Sequence, residues 1–188
     1  GRALSLRDQG LAANGPGAPA FTVTSVEDHY HENVHRRIRG TYTVPLFMTS
    51  DTPPAVYNLD ENGIPVQNGT TEAPFTVVIP LSAVEGGVAR PARPAVYGHG
   101  LLGTGEGEVT AGHLRDFANQ YNFVFGATDW VGMSGDADLN VILDFIKELS
   151  DFRYMADRLQ QSFLHFILLE RLFLAADGFA AHPDFQLD

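Results

Sequence analysis

A strand, a helix and a second strand follow one another in the middle of this 188-residue chain, and this order constrains the fold more than any other feature. The two strands are the apolar runs "PAVYGHG", Pro94 to Gly100, and "FVFGATDW", Phe123 to Trp130. Between them, apolar residues recur at helical spacing from Leu114 to Ala118, and Thr110 is the expected N-cap. Such a unit crosses over right-handed and makes its strands parallel. The chain is therefore predicted to be an α/β protein.

Further strands are predicted before this unit. The chain alternates polar and β-branched residues from Phe21 onward. The segment from Arg36 to Thr49 continues in the same way, with Gly40 and Pro45 as expected bulge or bend positions. The run from Pro74 to Ala83 is continuously apolar, which is typical of a strand buried on both faces. These segments predict additional strands of one sheet.

The remaining segments form the connections and the two ends. Residues 1–20 are aperiodic and punctuated by glycine and proline, which predicts an extended N-terminal arm. The turn signal "DENG" predicts a hairpin within residues 55–69. The last third is predicted to be helical, with a short helix over residues 139–150 and a long one, capped by Ser150, that ends at Leu174. One domain is the expected organisation.

Charge and composition restrict the function. With 12 basic and 23 acidic residues the formal net charge is -11, so nucleic acid is not expected as a partner. No apolar run is long enough to predict a membrane span. The chain contains no cysteine, which excludes disulfides, thiolate metal sites and a cysteine nucleophile. This composition fits a cytoplasmic protein and an exported bacterial protein equally well.

The end of the first central strand is the strongest functional signal. Glycines on both sides of His99 allow a sharp turn, after which the N–H of Leu101 can point out of the sheet as a hydrogen-bond donor. A glycine turn that only closes a strand is the alternative. The letters "GHGLLG" also fit a dinucleotide-binding loop, but Glu106 and Glu108 would then lie beside the phosphates. These two glutamates are instead expected in solvent.

The segment "VYGHGLLG" resembles the histidine–glycine oxyanion loop that follows strand three in lipases and related α/β-hydrolases. The resemblance covers Arg37 to Leu174, and this part of the chain is similar to exported bacterial lipase- or esterase-like proteins. It implies an α/β-hydrolase-type, mostly parallel sheet with N-terminal β strands, incomplete in this chain. Residues 21–188 would be the N-terminal part of one such domain, with no second domain.

The same resemblance implies a serine hydrolase that acts on carboxylic esters of small or polymeric substrates, without a cofactor. Leu101 would donate its backbone N–H to the oxyanion, with His99 and Gly100 completing the loop. Three residues at the same rim are the expected pocket: Leu102, Asp129 and Trp130. For Trp130 a role in covering the sheet is an equal alternative.

The nucleophile is the missing part of this site. The chain has no G-x-S-x-G elbow, and the nearest sequence, "GMSGD", carries Ser134 but has Asp136 at the second glycine position. A triad of Ser134 with His165 or His182 and one acid is the alternative, the candidate acids being Asp129, Asp136 and Asp138. The order of elements instead places serine, acid and histidine beyond Asp188.

A companion C-terminal chain that carries the triad is therefore the expected partner. Its absence would leave an edge strand and an apolar helix stripe exposed. The resemblance to exported hydrolases implies a secreted or periplasmic protein that is either processed into two chains or continues beyond this segment, with a cytoplasmic location as the alternative. A noncatalytic α/β interaction or scaffold domain that associates through the same edge is the alternative function.

No metal site is predicted. His29 and His31 would share one face of a strand, but no third ligand follows at a convincing spacing, so solvated positions are favoured. The sequence "NLDENG", Asn58 to Gly63, has some likeness to a calcium loop but lacks the later ligands. A hairpin turn is the better interpretation of it.

Overall fold

The computed structural model of the protein describes residues 1–187, apart from the side chain of Asp136. Five α-helices occur in this part of the chain: α1 (Arg2–Asn14), α2 (Gly105–Val109), α3 (Gly112–Tyr121), α4 (Gly135–Lys147) and α5 (Phe152–Leu174). The strands are β1 (Phe21–His31), β2 (Val34–Pro45), β3 (Thr70–Pro80), β4 (Val84–Glu85), β5 (Val88–Ala89), β6 (Arg93–Val96) and β7 (Phe123–Ala127). None of the described helices is long and apolar enough to cross a membrane.

The main sheet has five strands in the order β1-β2-β3-β7-β6. The pair β6–β7 is parallel, which confirms the central strand–helix–strand unit. All other neighbours in this sheet are antiparallel. The protein is therefore a mixed α/β protein, but the prediction of a mostly parallel sheet is wrong. Only two residues separate β1 from β2, and a connection that short can join only antiparallel strands.

Helices cover both faces of the sheet. One face packs on α1 and α5 in a core that includes Ile38, Val77 and Leu168. The other face packs on α2 and α3 through a smaller core that includes Val78 and Leu114. Because side chains alternate along a strand, neighbouring residues such as Val77 and Val78 serve the two cores in turn.

The N-terminus differs from the extended arm predicted for residues 1–20. Residues Arg2–Asn14 form α1, in which Leu6 is buried and Gly10 lies directly against Leu164 of α5. The helix buries very little apolar surface of its own, so its sequence shows no amphipathic period. Its stability comes from packing against α5, and packing is invisible in a local pattern.

Several boundaries also differ from expectation. The segment after the histidine–glycine loop is not a loop but α2, and the Thr110 hydroxyl donates to Glu106 O at its end, 2.7 Å away, instead of capping α3. Ala111 is the N-cap residue of α3, and Asp151 rather than Ser150 precedes α5. The extra residue of a bulge lies on β1, opposite Gly40, where a side chain would collide with the neighbouring backbone.

The hairpin prediction for residues 55–69 is confirmed in part. An isolated antiparallel bridge joins Leu59 to Pro65. The Asp60 carboxylate accepts the N–H groups of Asn62 at 2.9 Å and Ile64 at 2.8 Å. The Asp60 side chain therefore closes the turn by accepting backbone N–H groups of the residues that follow it, as aspartate commonly does.

Candidate functional site

The candidate site lies where β6 and β7 end. The chain passes from β3 to β6 at the edge of the sheet and then returns through α2 and α3 to place β7 between them. Ligands of α/β sheets bind beyond the carboxyl ends of strands at such a reversal of strand order. The loop His99–Gly103 follows β6 at this point, and residues 128–134 follow β7.

His99 joins the ends of these two strands. Its Nε2 accepts the N–H of Trp130 at 2.7 Å, and its Nδ1–H donates to Gly100 O at 2.7 Å. The side chain is buried. Since both ring nitrogens are engaged, His99 positions the loop and holds no proton that is available for transfer to a bound molecule.

The loop itself is a tight turn. Gly103 N–H donates to Gly100 O at 3.0 Å, and Leu102, the third residue of the turn, has a φ of 60°. This combination is that of a type II turn, in which a leucine at the third position is strained by about 1–2 kcal/mol. Leu102 N–H donates to Met133 O at 2.8 Å, which fastens the turn to the loop after β7.

The backbone N–H of Leu101 lies on the exposed side of this turn's hydrogen-bond pattern, without an acceptor of its own in the described part of the chain. Leu101 occupies the second position of the turn and is 60% exposed. Among the described atoms, no hydrogen-bond acceptor is found for its backbone N–H, whereas the N–H groups of Leu102 and Gly103 are both bonded. The turn therefore leaves the Leu101 amide, like that of Gly100, without an acceptor among the described atoms, on a backbone held by the bonds of Leu102 and Gly103.

The Asp129 side chain contacts the start of α2, just after the loop. One carboxylate oxygen accepts the N–H of Gly105 at 2.7 Å, and the Thr104 hydroxyl accepts that of Gly107 at 3.1 Å. Gly105 lies so close to β7 that an added Cβ would be 2.7 Å from Thr128 O. Asp129 thus caps α2, and its favourable position beside the first backbone N–H groups was missed by the sequence analysis.

Trp130 lies on the opposite face of the sheet from Asp129. Its ring packs against Phe163 and Phe166 of α5, with centroids 5.3 and 4.3 Å apart. Trp130 does not line the cavity of about 370 Å³ on the α2 face of the sheet, whereas Asp129 does. Of the two roles considered for Trp130, this arrangement is that of a cover for the sheet.

Ser134 belongs to a buried polar network at the start of α4. Its hydroxyl donates to Asp138 Oδ2 at 3.1 Å, and Gly132 N–H donates to the same oxygen at 2.7 Å. The other carboxylate oxygen pairs with Arg158 at 2.9 Å. Both charges are buried, so the network fixes the loop after β7.

The alternative triad is not assembled around Ser134 in the described part of the chain. His165 lies in the core, where neither ring nitrogen has a hydrogen-bond partner among the described residues. His182 lies beside Asp184 near the C-terminus. The candidate acid Asp136 falls outside the described side chains.

Burial also determines the charge of His165. Loss of solvation, followed by the nearby positive charge of Arg158, lowers the pKa of His165 to about 3. The ring is therefore neutral at physiological pH. A cavity of only about 20 Å³ lies beside it and Gln161, which is room for one water molecule.

A second group of residues, on the α2 face of the sheet, was not found from the sequence. Arg37 pairs with Glu106 at 2.9 Å and with Glu27 at 2.7 Å, and Arg39 pairs with Glu27 at 2.8 Å. The hydrogen bond from Arg37 lowers the pKa of Glu27. Glu106 is thus an ion-pair partner rather than the freely solvated side chain expected, and Glu108 is half-buried.

The histidines of the first hairpin do not form the strand-face pair considered above. A register irregularity lies between Asp28 and His31, and His29 has a φ of 52°. The His29 ring instead contacts that of His35, with centroids 5.7 Å apart. Among the described side chains, no group of three or more His, Asp or Glu residues could hold a metal ion.

No protein-family model, curated protein or solved structure matches this chain.

Proposed function

We propose that this chain forms the oxyanion-loop part of an α/β-hydrolase-type domain that cleaves carboxylic esters, in a secreted or periplasmic bacterial protein. The observation that carries the proposal is the backbone N–H of the exposed Leu101, which has no acceptor among the described atoms, whereas the two amides that follow it in the turn are bonded. His99 and Gly100 hold this amide in position. In this proposal Leu102 and Asp129 remain the expected pocket residues.

The chemistry needs such a donor. Attack of a nucleophile on an ester carbonyl puts negative charge on the carbonyl oxygen, and an N–H at roughly 2.7–3.1 Å stabilises that charge. A donor fixed before the substrate binds costs no reorganisation during the reaction. The bonds of Gly103 to Gly100 and of Leu102 to Met133 supply this rigidity at Leu101.

The fold supports the same proposal. The loop follows the first strand of the parallel β6–β7 unit, and antiparallel strands precede it, as the N-terminal strands of the proposed domain would. In this proposal the serine, acid and histidine are supplied by sequence outside the chain, on a companion C-terminal polypeptide or a longer parent chain. Ser134 is committed to Asp138.

The companion would dock at the β6 edge. This strand pairs with β7 on one side only, and a groove of about 200 Å³ beside it is lined by Val96, Phe173 and Leu174, among others. The backbone N–H groups of Arg93 and Tyr97 donate to Asn122 and Gly126, on the β7 side. The backbone nitrogens of Pro94 and Val96 therefore point away from β7, to the free edge. Pro94 has no N–H to donate there. Apolar side chains of the companion, more than added strand pairing, would therefore fill this edge.

Replacing Leu101 by proline tests the donor directly in the purified active material. Proline removes the N–H and suits the second position of a type II turn, so the loop is expected to keep its shape. We expect L101P to lower kcat for a p-nitrophenyl ester about 100- to 1,000-fold, with KM little changed. L101A keeps the N–H and is expected to retain activity. Equal activity of both variants would rule out the Leu101 donor.

The position of the nucleophile is tested with a fluorophosphonate probe. Intact masses measured under denaturing conditions show which polypeptide carries the label. Label on a second polypeptide, or beyond residue 188 of a longer chain, is the expected result, and it should persist in S134A. Label that is lost in S134A would place the nucleophile at Ser134 and overturn the proposal. Absence of both label and ester turnover would favour the scaffold function.

A further inference from the structure

We propose that the cavity on the α2 face of the sheet binds a neutral polyhydroxyl compound of the size of a monosaccharide. The cavity measures about 370 Å³, within the range of roughly 300–1,000 Å³ that small-molecule sites occupy. It is separate from the Leu101 amide, which does not line it. The proposal goes beyond the ester chemistry and does not depend on it.

The sheet forms the floor of this cavity. Arg39, Thr76 and Ala127 are direct neighbours across β2, β3 and β7, so their side chains lie in one row on the same face. Thr41 and Pro74 form the next row. The walls are built from Thr24 on β1, Thr104 and Glu106 at α2, and Asp129 after β7.

The floor presents hydroxyl groups that lack a partner in the protein. Thr76 is only 5% exposed, yet its hydroxyl makes no hydrogen bond to any other described residue and lines the cavity. The Thr41 hydroxyl beside it is likewise without a partner within the described part of the chain. Both hydroxyls are therefore available to a polar molecule in the cavity, and neither has to give up a hydrogen bond within the described part of the protein to bind it.

The charges around the cavity favour a neutral ligand. Arg39 at the floor and the nearby Arg37 both already pair with Glu27, and Arg37 also pairs with Glu106. An anion would have to break these pairs and would face the carboxylates of Glu106 and Asp129. Asp129 in turn is partly satisfied by the Gly105 N–H, which leaves little net attraction for a cation.

The chemical content of the lining matches a polyol. Threonine hydroxyls donate and accept, carboxylates accept, and the guanidinium group of Arg39 donates, so vicinal hydroxyl groups of a ligand find partners of both kinds. Pro74 and Ala127 add a small apolar surface for the C–H groups of a sugar ring.

An NMR titration of the purified protein tests this site. D-glucose, D-galactose and myo-inositol are the neutral probes, inorganic phosphate is the anionic probe, and ethanolamine the cationic one. We expect at least one neutral probe to shift the backbone amide signals of Thr41, Thr76 and Thr104 in a saturable way. Absence of a localised shift with all three neutral probes at about 100 mM, or equal binding of phosphate or ethanolamine, would overturn the proposal.

Two variants identify the groups that bind. T76V removes the buried hydroxyl while keeping the shape, and it should weaken binding of the responding probe at least about tenfold. T22V, at an exposed position of β1 outside the cavity, is the matched control and should bind as the unchanged protein does. If T76V unfolds, T41V at the half-buried neighbouring row replaces it. Unchanged binding in the folded variant contradicts the assignment.

Discussion

A single buried imidazole makes the stability of this protein depend on pH. His165 is neutral in the folded state because burial lowers its pKa from 6.5 to about 3. In the unfolded chain the same ring takes up a proton near pH 6.5. Between these two values the unfolded state binds more protons than the folded state, so stability falls as the pH is lowered.

Replacing His165 by leucine should therefore flatten this dependence. Between pH 7 and pH 5, protonation of His165 in the unfolded chain is expected to lower the free energy of unfolding by about 2 kcal/mol. H165L should lack this contribution. Urea unfolding at both pH values measures it. H113A, at an exposed histidine of α3, is the control and should lose as much stability as the unchanged protein. An equal loss in H165L would show that His165 is charged when folded.

At the scale of single residues, the sequence predicted the sharp turn beside His99 but not the contacts that hold it. The turn followed from the glycines around His99, which are a local signal. The partners of His99, Asp129 and Ser134 did not, because Trp130, Gly105 and Arg158 reach them only through the fold. Titratable side chains look alike in a sequence whether they bind substrate, cap a helix or pair in the core.

At the scale of elements, the ends of β6 and β7 depend on His99. Replacing it by alanine removes the acceptor of the Trp130 N–H and the donor to Gly100 O. We expect H99A to lose about 1–3 kcal/mol of stability. Hydrogen exchange at the Trp130 amide should accelerate at least about tenfold, whereas amides of β2 should change much less. Unchanged exchange at Trp130 would mean that His99 does not hold the loop.

The close packing of α2 on the end of β7 can be tested with a substitution at Gly105. A methyl group at Gly105 would lie 2.7 Å from Thr128 O and would push the helix away from the strand. We expect G105A to lower the free energy of unfolding by about 1–3 kcal/mol. G112A, at an exposed helical glycine whose added Cβ would meet only the flexible Arg115 side chain, 3.9 Å away, should be neutral or stabilise by up to about 1 kcal/mol. Equal effects of the two substitutions would contradict the close approach of α2.

The elements themselves were predicted where their periodicity is strong. The strands β1, β2 and β3, the helix α3 and the long helix α5 all follow the expected patterns, with boundaries displaced by a few residues. The helices α1 and α2 were missed. The first buries few of its residues, and the second is five residues long and contains two glycines, so neither has a readable period.

At the scale of the whole molecule, the N-terminal helix is part of the fold. Leu6 is 1% exposed in the core shared with α5, whereas Leu4 is 56% exposed. We expect L6A to lose about 2–5 kcal/mol on thermal or urea unfolding and L4A less than about 0.5 kcal/mol. A single cooperative transition should be kept in both variants. Similar small losses in both would mean that α1 is not docked.

The strand order was the feature that periodicity predicted least well. The apolar runs indicate that β3, β6 and β7 are buried, but they do not tell which strands are neighbours or in which direction they run. Parallel pairing of β6 and β7 followed from the helical crossover. The antiparallel pairing of β3 with β7 depends on where the long connection after β3 leads, and no residue pattern encodes that.

Pro94 has a further consequence for many copies of the molecule in one solution. An exposed strand edge can recruit the edges of other molecules, one after another, into a growing hydrogen-bonded ladder. Here the outward positions of β6 offer the backbone N–H of Val96 but none from Pro94. Copies that meet at this edge find too few donors to extend a ladder, so crowding should produce at most loose pairs rather than fibres.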